Sequence, residues 1–180
     1  MNCNYKSASQ NFLAAIALLI GGCTGTSMPV DTGETTGGSS GAETSTPTGA
    51  KLFTMITQDD PFEQWAQFSD RQGTLPSSLP HGPMSQVFIN GVVESALDNF
   101  DGTLPDGSII VKKNIGTDPL VTEAALTIMW KVAGFDPDNN DWFWANITTD
   151  GQIAAEGKVA SCVGCHGGAR ANDFVFVHQF

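Results

Sequence analysis

A low-complexity segment limits which part of this chain can fold. Residues 24–50 read TGTSMPVDTGETTGGSSGAETSTPTGA and consist mostly of Gly, Ser, Thr and Pro. Such a composition buries too little apolar surface to offset the conformational entropy lost on folding. The segment is therefore predicted to be a disordered tether with a mean reach of about 30 Å. Residues 51–180 remain, and their length is typical of one domain with one hydrophobic core.

The residues before the tether resemble a bacterial export signal. Lys6 lies in a short polar segment, an apolar run follows over residues 12–20, and the sequence LIGGC ends at Cys23. The apolar run is too short for a membrane span, which needs about 20 residues. LIGGC resembles the lipobox, so residues 1–22 are predicted to be a lipoprotein signal peptide and Cys23 to be lipidated. The alternative is an ordinary signal peptide cut a few residues later, which would leave Cys23 as an unpaired thiol.

These features predict a protein of the bacterial cell envelope that faces the periplasm. Its membrane contact would be the lipid anchor alone, and Thr24 after the cysteine favours the outer membrane over the inner one. The chain has 19 acidic and eight basic side chains, with a net charge of −11. This charge argues against nucleic acid as a partner and would steer a basic redox protein towards the surface.

Residues 51–180 are predicted to form an α+β domain, built mostly from an antiparallel sheet with flanking helices. Residues 58–68, QDDPFEQWAQF, predict a helix with Asp59 or Asp60 as N-cap and Pro61 in the first turn. Strands are predicted in SQVFING, GSIIVKKNI and EAALTIMWKVAGF, and a short helix in VVESALDNF. DWFWANITTDGQIAAEG predicts a hairpin with a tight Asp-Gly turn.

Two of the four cysteines, Cys162 and Cys165, form the motif CVGCH with His166. A thioredoxin-like redox pair would begin a helix inside a strand–helix–strand unit, but only 15 residues follow Cys165. A zinc site would need two more ligands, and a disulfide within CxxC would be strained. The spacing favours a c-type haem, because two thiols one helical turn apart can add to two vinyl groups while the adjacent imidazole reaches the iron.

The motif, together with the stretches LPDGSIIVKKN, MWKVAGFDPDNNDWFWANI, AEGKVASCVGCHGG and DFVFV, resembles the cytochrome P460 family over roughly residues 55–180. The resemblance implies a mostly antiparallel sheet of about five strands with a C-terminal haem-binding segment, often in a homodimer. It also implies that Cys162 and Cys165 form the thioether bonds to haem c and that His166 is the axial iron ligand.

Lys112 lies where some members of this family carry a lysine linked to the haem edge. By that match Lys112 is a cofactor-binding and catalytic residue of a haem oxidoreductase, which oxidises hydroxylamine or nitric oxide and passes electrons to a partner cytochrome. Strand alternation places Lys112 on the face of Ile110, opposite Lys113. The alternative is a non-enzymatic electron carrier or a nitric oxide-binding protein similar to cytochrome c′-β. The distal carboxylate of hydroxylamine-oxidising members has no counterpart, because the predicted strand AALTIMWKV offers Thr127 and Met129.

The other residues that could contact a haem have structural interpretations. His81 is interpreted as a loop residue, His178 as a solvated residue, and Met84 and Met129 as packing residues. A six-coordinate electron carrier would need Met or His as its second axial ligand. The remaining aromatic residues are predicted to form core that also shields a haem from water: Trp130, Trp142, Phe143 and Trp144.

Overall fold

The structure, a computed structural model, describes residues 46–78, 80–116 and 125–176. The predicted signal peptide, Cys23, residues 24–45 of the predicted tether and His178 lie outside the described residues. The described part belongs to one compact unit. None of its helices has the length and apolar character needed to cross a bilayer.

Six strands in the described part form one antiparallel sheet, and their order across the sheet follows their order along the chain. They are β1 Leu75–Pro76, β2 Met84–Ile89, β3 Ile109–Ile115, β4 Leu126–Lys131, β5 Trp142–Ile147 and β6 Ile153–Gly157. The sheet and its flanking helices confirm the predicted α+β class. The predicted count of about five strands is one too low, because β1 has only two residues and shows no alternation in the sequence.

Short helices flank this sheet: α1 Gly49–Thr54, α2 Gly91–Leu97 and α3 Ala160–His166. The N-cap of α1 is Thr48, so ordered structure begins slightly before residue 51, the predicted start of the domain. The α1 helix continues into a π-helical turn, Met55–Asp59. Single-turn 3₁₀ helices lie at Phe62–Gln64 and Pro137–Asn139, and a longer 3₁₀ segment, Gly167–Asn172, follows α3.

The prediction of one continuous helix over residues 58–68 is wrong. Residues 58–59 end the π-helical turn, a single 3₁₀ turn forms at Phe62–Gln64, and Trp65 already has extended backbone angles. The reason is a tertiary contact, since Ala66 forms an isolated antiparallel bridge with Ile89 of β2, in which Ile89 N donates to the Ala66 carbonyl at 2.9 Å. Pairing with a strand overrides local helix signals.

Both faces of the central strands β2 to β5 carry buried side chains, which explains why these strands read as nearly continuous apolar runs. One face packs with α1 and the π-helical turn, through Leu52, Ile56, Phe62, Phe88, Ile109, Val111, Leu126, Ile128, Trp130, Phe143, Ala145 and Ile147. The opposite face, called the cavity face below, packs through Phe68, Ile89, Val93, Leu104, Ile110, Met129, Trp142, Trp144, Phe174 and Val175. Cys162 of α3 packs against the cavity face, which therefore carries the CVGCH motif.

Candidate functional site

A cavity of about 670 Å³ lies against the cavity face, with α3 and the loop between β1 and β2 in its wall. This volume is within the roughly 300–1,000 Å³ typical of cofactor and ligand sites. Much of the wall is apolar and includes Phe68, Val87, Ile110, Met129, Trp144 and Val175. Its groups with reactive or metal-binding chemistry are His81, Lys112, Cys162, Cys165 and His166. No Asp or Glu of the described residues lines it.

The α3 helix brings Cys162, Cys165 and His166 into this wall. The two cysteines are three positions apart and so lie about one helical turn apart on one side of the helix. His166 ends the helix, and its Nδ1 donates to the Phe174 carbonyl at 2.7 Å. This bond holds the tautomer that leaves the Nε2 lone pair available. Burial lowers the pKa of His166, so its ring is neutral at neutral pH, as a metal ligand must be.

The Phe174 carbonyl is held in place by a buried ionic network around Asp173. Asp173 and Phe174 have left-handed φ angles of 53° and 66°, which turn the chain back towards His166. The Asp173 carboxylate accepts from Lys131 Nζ at 2.5 Å, and Trp142 Nε1 donates to the Asp173 carbonyl at 2.9 Å. Sequence reasoning missed Asp173 and Lys131, because a buried ion pair between residues this far apart leaves no local pattern.

Lys112 lines the cavity as the strand alternation predicts, together with Ile110. Burial lowers the pKa of Lys112, and the positive charge of Arg71 lowers it further. The side chain of Lys113 lies on the opposite face of β3, and its Nζ forms an ion pair with Glu63 at 2.5 Å. The two adjacent lysines therefore have different environments, and only Lys112 faces the cavity.

His81 lies in the β1–β2 loop, as predicted, but its ring also lines the cavity. Its Nδ1 and Thr127 Oγ1 of β4 are 3.0 Å apart. Burial lowers the pKa of His81 to about 4, with further contributions from Lys112 and His166. Met129 also lines the cavity, whereas Met84 of β2 does not. No sequence signal placed His81 in the site, since its position depends on a contact with a strand far along the chain.

The two thiols of the motif are free in this structure, and no disulfide joins them. Cys162 is half-buried and Cys165 is exposed. Burial raises the pKa of Cys162, and its neighbour Cys165 adds to this effect. Within the described residues, no group of three or more His, Cys, Asp and Glu side chains could hold a metal ion.

An antiparallel sheet with an apolar cavity, two thiols and an available imidazole in its wall defines the class of site that suits a bound cofactor such as haem. Comparison with protein families matches residues 59–177 to the family described as cytochrome P460. This match covers more than half of the chain, and the chain belongs to the cytochrome P460 family. The comparison with curated proteins returned no match. Family membership implies a haem cofactor.

The cavity contains groups that fit a haem. Arg71 Nε and Ser77 Oγ are buried, line the cavity, and have no hydrogen-bond partner among the described residues. An unpartnered buried polar group is costly, and a cationic donor and a hydroxyl in one cavity wall suit carboxylates such as the haem propionates. His166 Nε2 would supply an iron ligand, and the apolar wall suits the macrocycle. The residues present therefore match the cofactor that the family implies.

Proposed function

We propose that this protein is an exported c-type cytochrome that holds haem through Cys162, Cys165 and His166. The observation that carries the proposal is the geometry of α3, which presents both thiols and the free Nε2 to one cavity. In each thioether bond, the S–H group adds across a vinyl group, so sulfur and proton are both retained. The raised pKa of Cys162 keeps its thiol protonated before this addition.

The residues of the chain then hold and shield the cofactor. Once bound, haem would supply one-electron redox chemistry and an iron that can bind a small molecule. The Phe174 carbonyl fixes the orientation of His166, whose ring packs against Trp144 and Phe176 with centroid distances of 4.8 and 5.2 Å. Arg71 and Ser77 would receive the propionates, and the apolar wall excludes bulk water.

The proposed activity is oxidation of hydroxylamine or nitric oxide, with electrons passed to a partner cytochrome. Lys112 supports this activity, because its lowered pKa increases the neutral fraction that can act as a nucleophile. A link from Lys112 Nζ to the macrocycle edge replaces a C–H bond by a C–N bond and releases two protons and two electrons. Its formation therefore requires an oxidant such as a peroxide.

A second function, electron transfer or nitric oxide binding without turnover, has its own support. The cavity wall contains no carboxylate of the described residues that could act as a distal base. His81 instead faces the cavity. Stopped-flow mixing of the ferric protein with hydroxylamine separates the two functions, since only the first predicts haem reduction that saturates with substrate.

Covalent attachment is tested by extraction with acidified acetone. Protein matured in a host with c-type haem machinery should keep its haem, and the double variant Cys162→Ala, Cys165→Ala should release it. Ser95→Ala is the control, because its exposed hydroxyl donates to the Gly91 carbonyl at 2.7 Å in α2, outside the cavity wall. Extraction of the haem from the wild-type protein would contradict the proposed attachment.

The lysine link is tested by proteolytic mapping of the fully haem-loaded protein. We expect a haem peptide that contains residues around Lys112 as well as Cys162 and Cys165. Lys112→Ala should lose the peptide from around residue 112 and keep the thioether bonds, whereas Lys113→Ala is the matched control on the opposite strand face. An unmodified Lys112 peptide in fully loaded wild-type protein rules the link out.

A further inference from the structure

Two imidazole rings from distant parts of the chain lie close together in the cavity. His166 ends α3, and His81 lies in the β1–β2 loop. Their ring centroids are 6.1 Å apart, and their planes are almost perpendicular, at 88°. Both rings line the same cavity. This separation is informative because the family implies a metal-containing cofactor here.

Both rings use Nδ1 within the protein and leave Nε2 without a hydrogen-bond partner among the described residues. For His166 the Nδ1 partner is the Phe174 carbonyl at 2.7 Å. For His81 it is Thr127 Oγ1 at 3.0 Å. When Thr127 donates its proton to the Lys112 carbonyl, 3.4 Å away, its oxygen accepts from Nδ1–H of His81. The resulting tautomer gives His81 an Nε2 lone pair, as in His166.

The distance between the rings matches ligation of one metal ion by both. Two imidazoles that bind a metal from opposite sides, with metal–nitrogen bonds of roughly 2.0 Å, have ring centres about 6 Å apart. A histidine that only hydrogen-bonds a small iron-bound ligand would lie farther away, because the ligand and a hydrogen bond of about 2.8 Å must fit between them. The observed 6.1 Å corresponds to the first arrangement.

We propose that His81 binds the haem iron as its second axial ligand, on the face opposite His166. This inference rests on the proposed haem attachment and goes beyond it. It implies that the iron has no free coordination position in the resting protein. A small nitrogen compound then reaches the iron only after His81 leaves it. The β1–β2 loop suits such a release, since Ser77 N donates to the Pro83 carbonyl at 2.8 Å and ties the base of the loop while its tip carries His81.

The test is the spin state and ligand set of the haem-loaded, full-length protein at neutral pH. The ferric wild type should be low-spin in optical and EPR spectra, and near-infrared magnetic circular dichroism should show a bis-histidine iron. His81→Ala should lose the low-spin signal and become high-spin, and added imidazole should restore the low-spin form. His178→Ala removes the third histidine of the chain and should leave the wild-type spectrum unchanged.

Two further outcomes overturn the inference in distinguishable ways. A ferric wild type that keeps its haem in acidified acetone but is high-spin, or shows methionine, amine or water opposite His166, overturns only the role of His81. A wild type that loses its haem overturns the attachment and this inference together. The wild-type and His178→Ala spectra together decide the matter even if His81→Ala fails to load haem, because a bis-histidine spectrum that survives the loss of His178 leaves His81 as the partner of His166 among the three histidines of the chain.

Discussion

At the residue scale, the most consequential group outside the motif is the Asp173 carboxylate. Asp173 is fully buried, and the side chain of Lys131 with which it pairs is 6% exposed. Asp173 also accepts from Leu104 N at 2.8 Å and from Asn140 Nδ2 at 2.7 Å. A buried ion pair of this kind is costly to break, because removal of one partner leaves the other charge uncompensated. Since Asp173 precedes Phe174, the same pair also holds the carbonyl that orients His166.

Asp173→Asn keeps the size of the side chain and removes its charge. We expect the free energy of unfolding to fall by about 3–5 kcal/mol, because Lys131 becomes an unpaired buried charge. Urea unfolding of the haem-loaded protein, followed by circular dichroism, measures this loss. The double variant Asp173→Asn, Lys131→Met should recover much of the stability.

Glu63→Gln is the matched control for this substitution. Glu63 pairs with Lys113 at the same 2.5 Å, but the two side chains are 61% and 29% exposed. Exposed pairs contribute about 0–1 kcal/mol, so the loss should be below about 1 kcal/mol. Equal losses for Asp173→Asn and Glu63→Gln would show that burial does not determine the strength of the Lys131 pair.

The sequence identified the local part of the site and missed the part formed by tertiary contacts. Cys162, Cys165 and His166 are adjacent in the chain, so their relative placement on a helix can be read from spacing alone. The orientation of Lys112 follows from strand alternation. His81 meets Thr127 only because the fold brings a loop against β4, and no periodicity in the sequence encodes that contact.

At the scale of elements, Asn90 connects α2 to the sheet. Its Oδ1 accepts from Val93 N at 3.2 Å as the N-cap of α2, and also from Ile109 N at 3.1 Å at the start of β3. Its Nδ2 donates to the Gly107 carbonyl at 2.9 Å. The buried Asn90 amide therefore caps the N-terminus of α2 and holds the start of β3, the strand that carries Lys112.

Asn90→Ala should destabilise the protein by about 2–4 kcal/mol, because it removes a cap and leaves buried backbone groups unpaired. Thr48→Ala is the matched control, since Thr48 caps α1 at an exposed site through Lys51 N at 3.2 Å. Its loss should be about 1 kcal/mol. Thermal unfolding of both variants measures the difference, and a Thr48→Ala loss as large as that of Asn90→Ala would contradict the connecting role of Asn90.

Long apolar runs allowed the main strands to be predicted, whereas short or irregular elements could not be. The stretches SQVFING, GSIIVKKNI and DWFWANITTDGQIAAEG form β2, β3 and the β5–β6 hairpin, as predicted. The helix signals in residues 58–68 were local, and the bridge between Ala66 and Ile89 overrides them. The two-residue β1 depends on its pairing with β2 and has no pattern of its own.

At the scale of the whole molecule, we propose that lipidation of Cys23 anchors the haem domain to the membrane through the tether. Cys23→Ser should release the protein to the soluble periplasmic fraction, because a lipid chain buried in the bilayer provides the attachment. Cys3→Ser is the control, since the predicted cleavage discards Cys3 with the signal peptide. Cell fractionation with detergent partitioning gives the readout, and membrane association of Cys23→Ser equal to that of the wild type would remove the anchor from the proposal.

The order of the strands also bears on how the molecule assembles. Each strand pairs with its neighbour along the chain, so the sheet can form through short loop closures, which favour rapid folding. Formation of the cavity requires contacts between residues much farther apart in the sequence, because His81 precedes β2 whereas His166 follows β6. The sheet can therefore assemble before α3 docks, and during that interval the cavity is an open cleft with both thiols accessible. This order of assembly would let the attachment machinery reach Cys162, which is half-buried in the folded domain, as readily as the exposed Cys165.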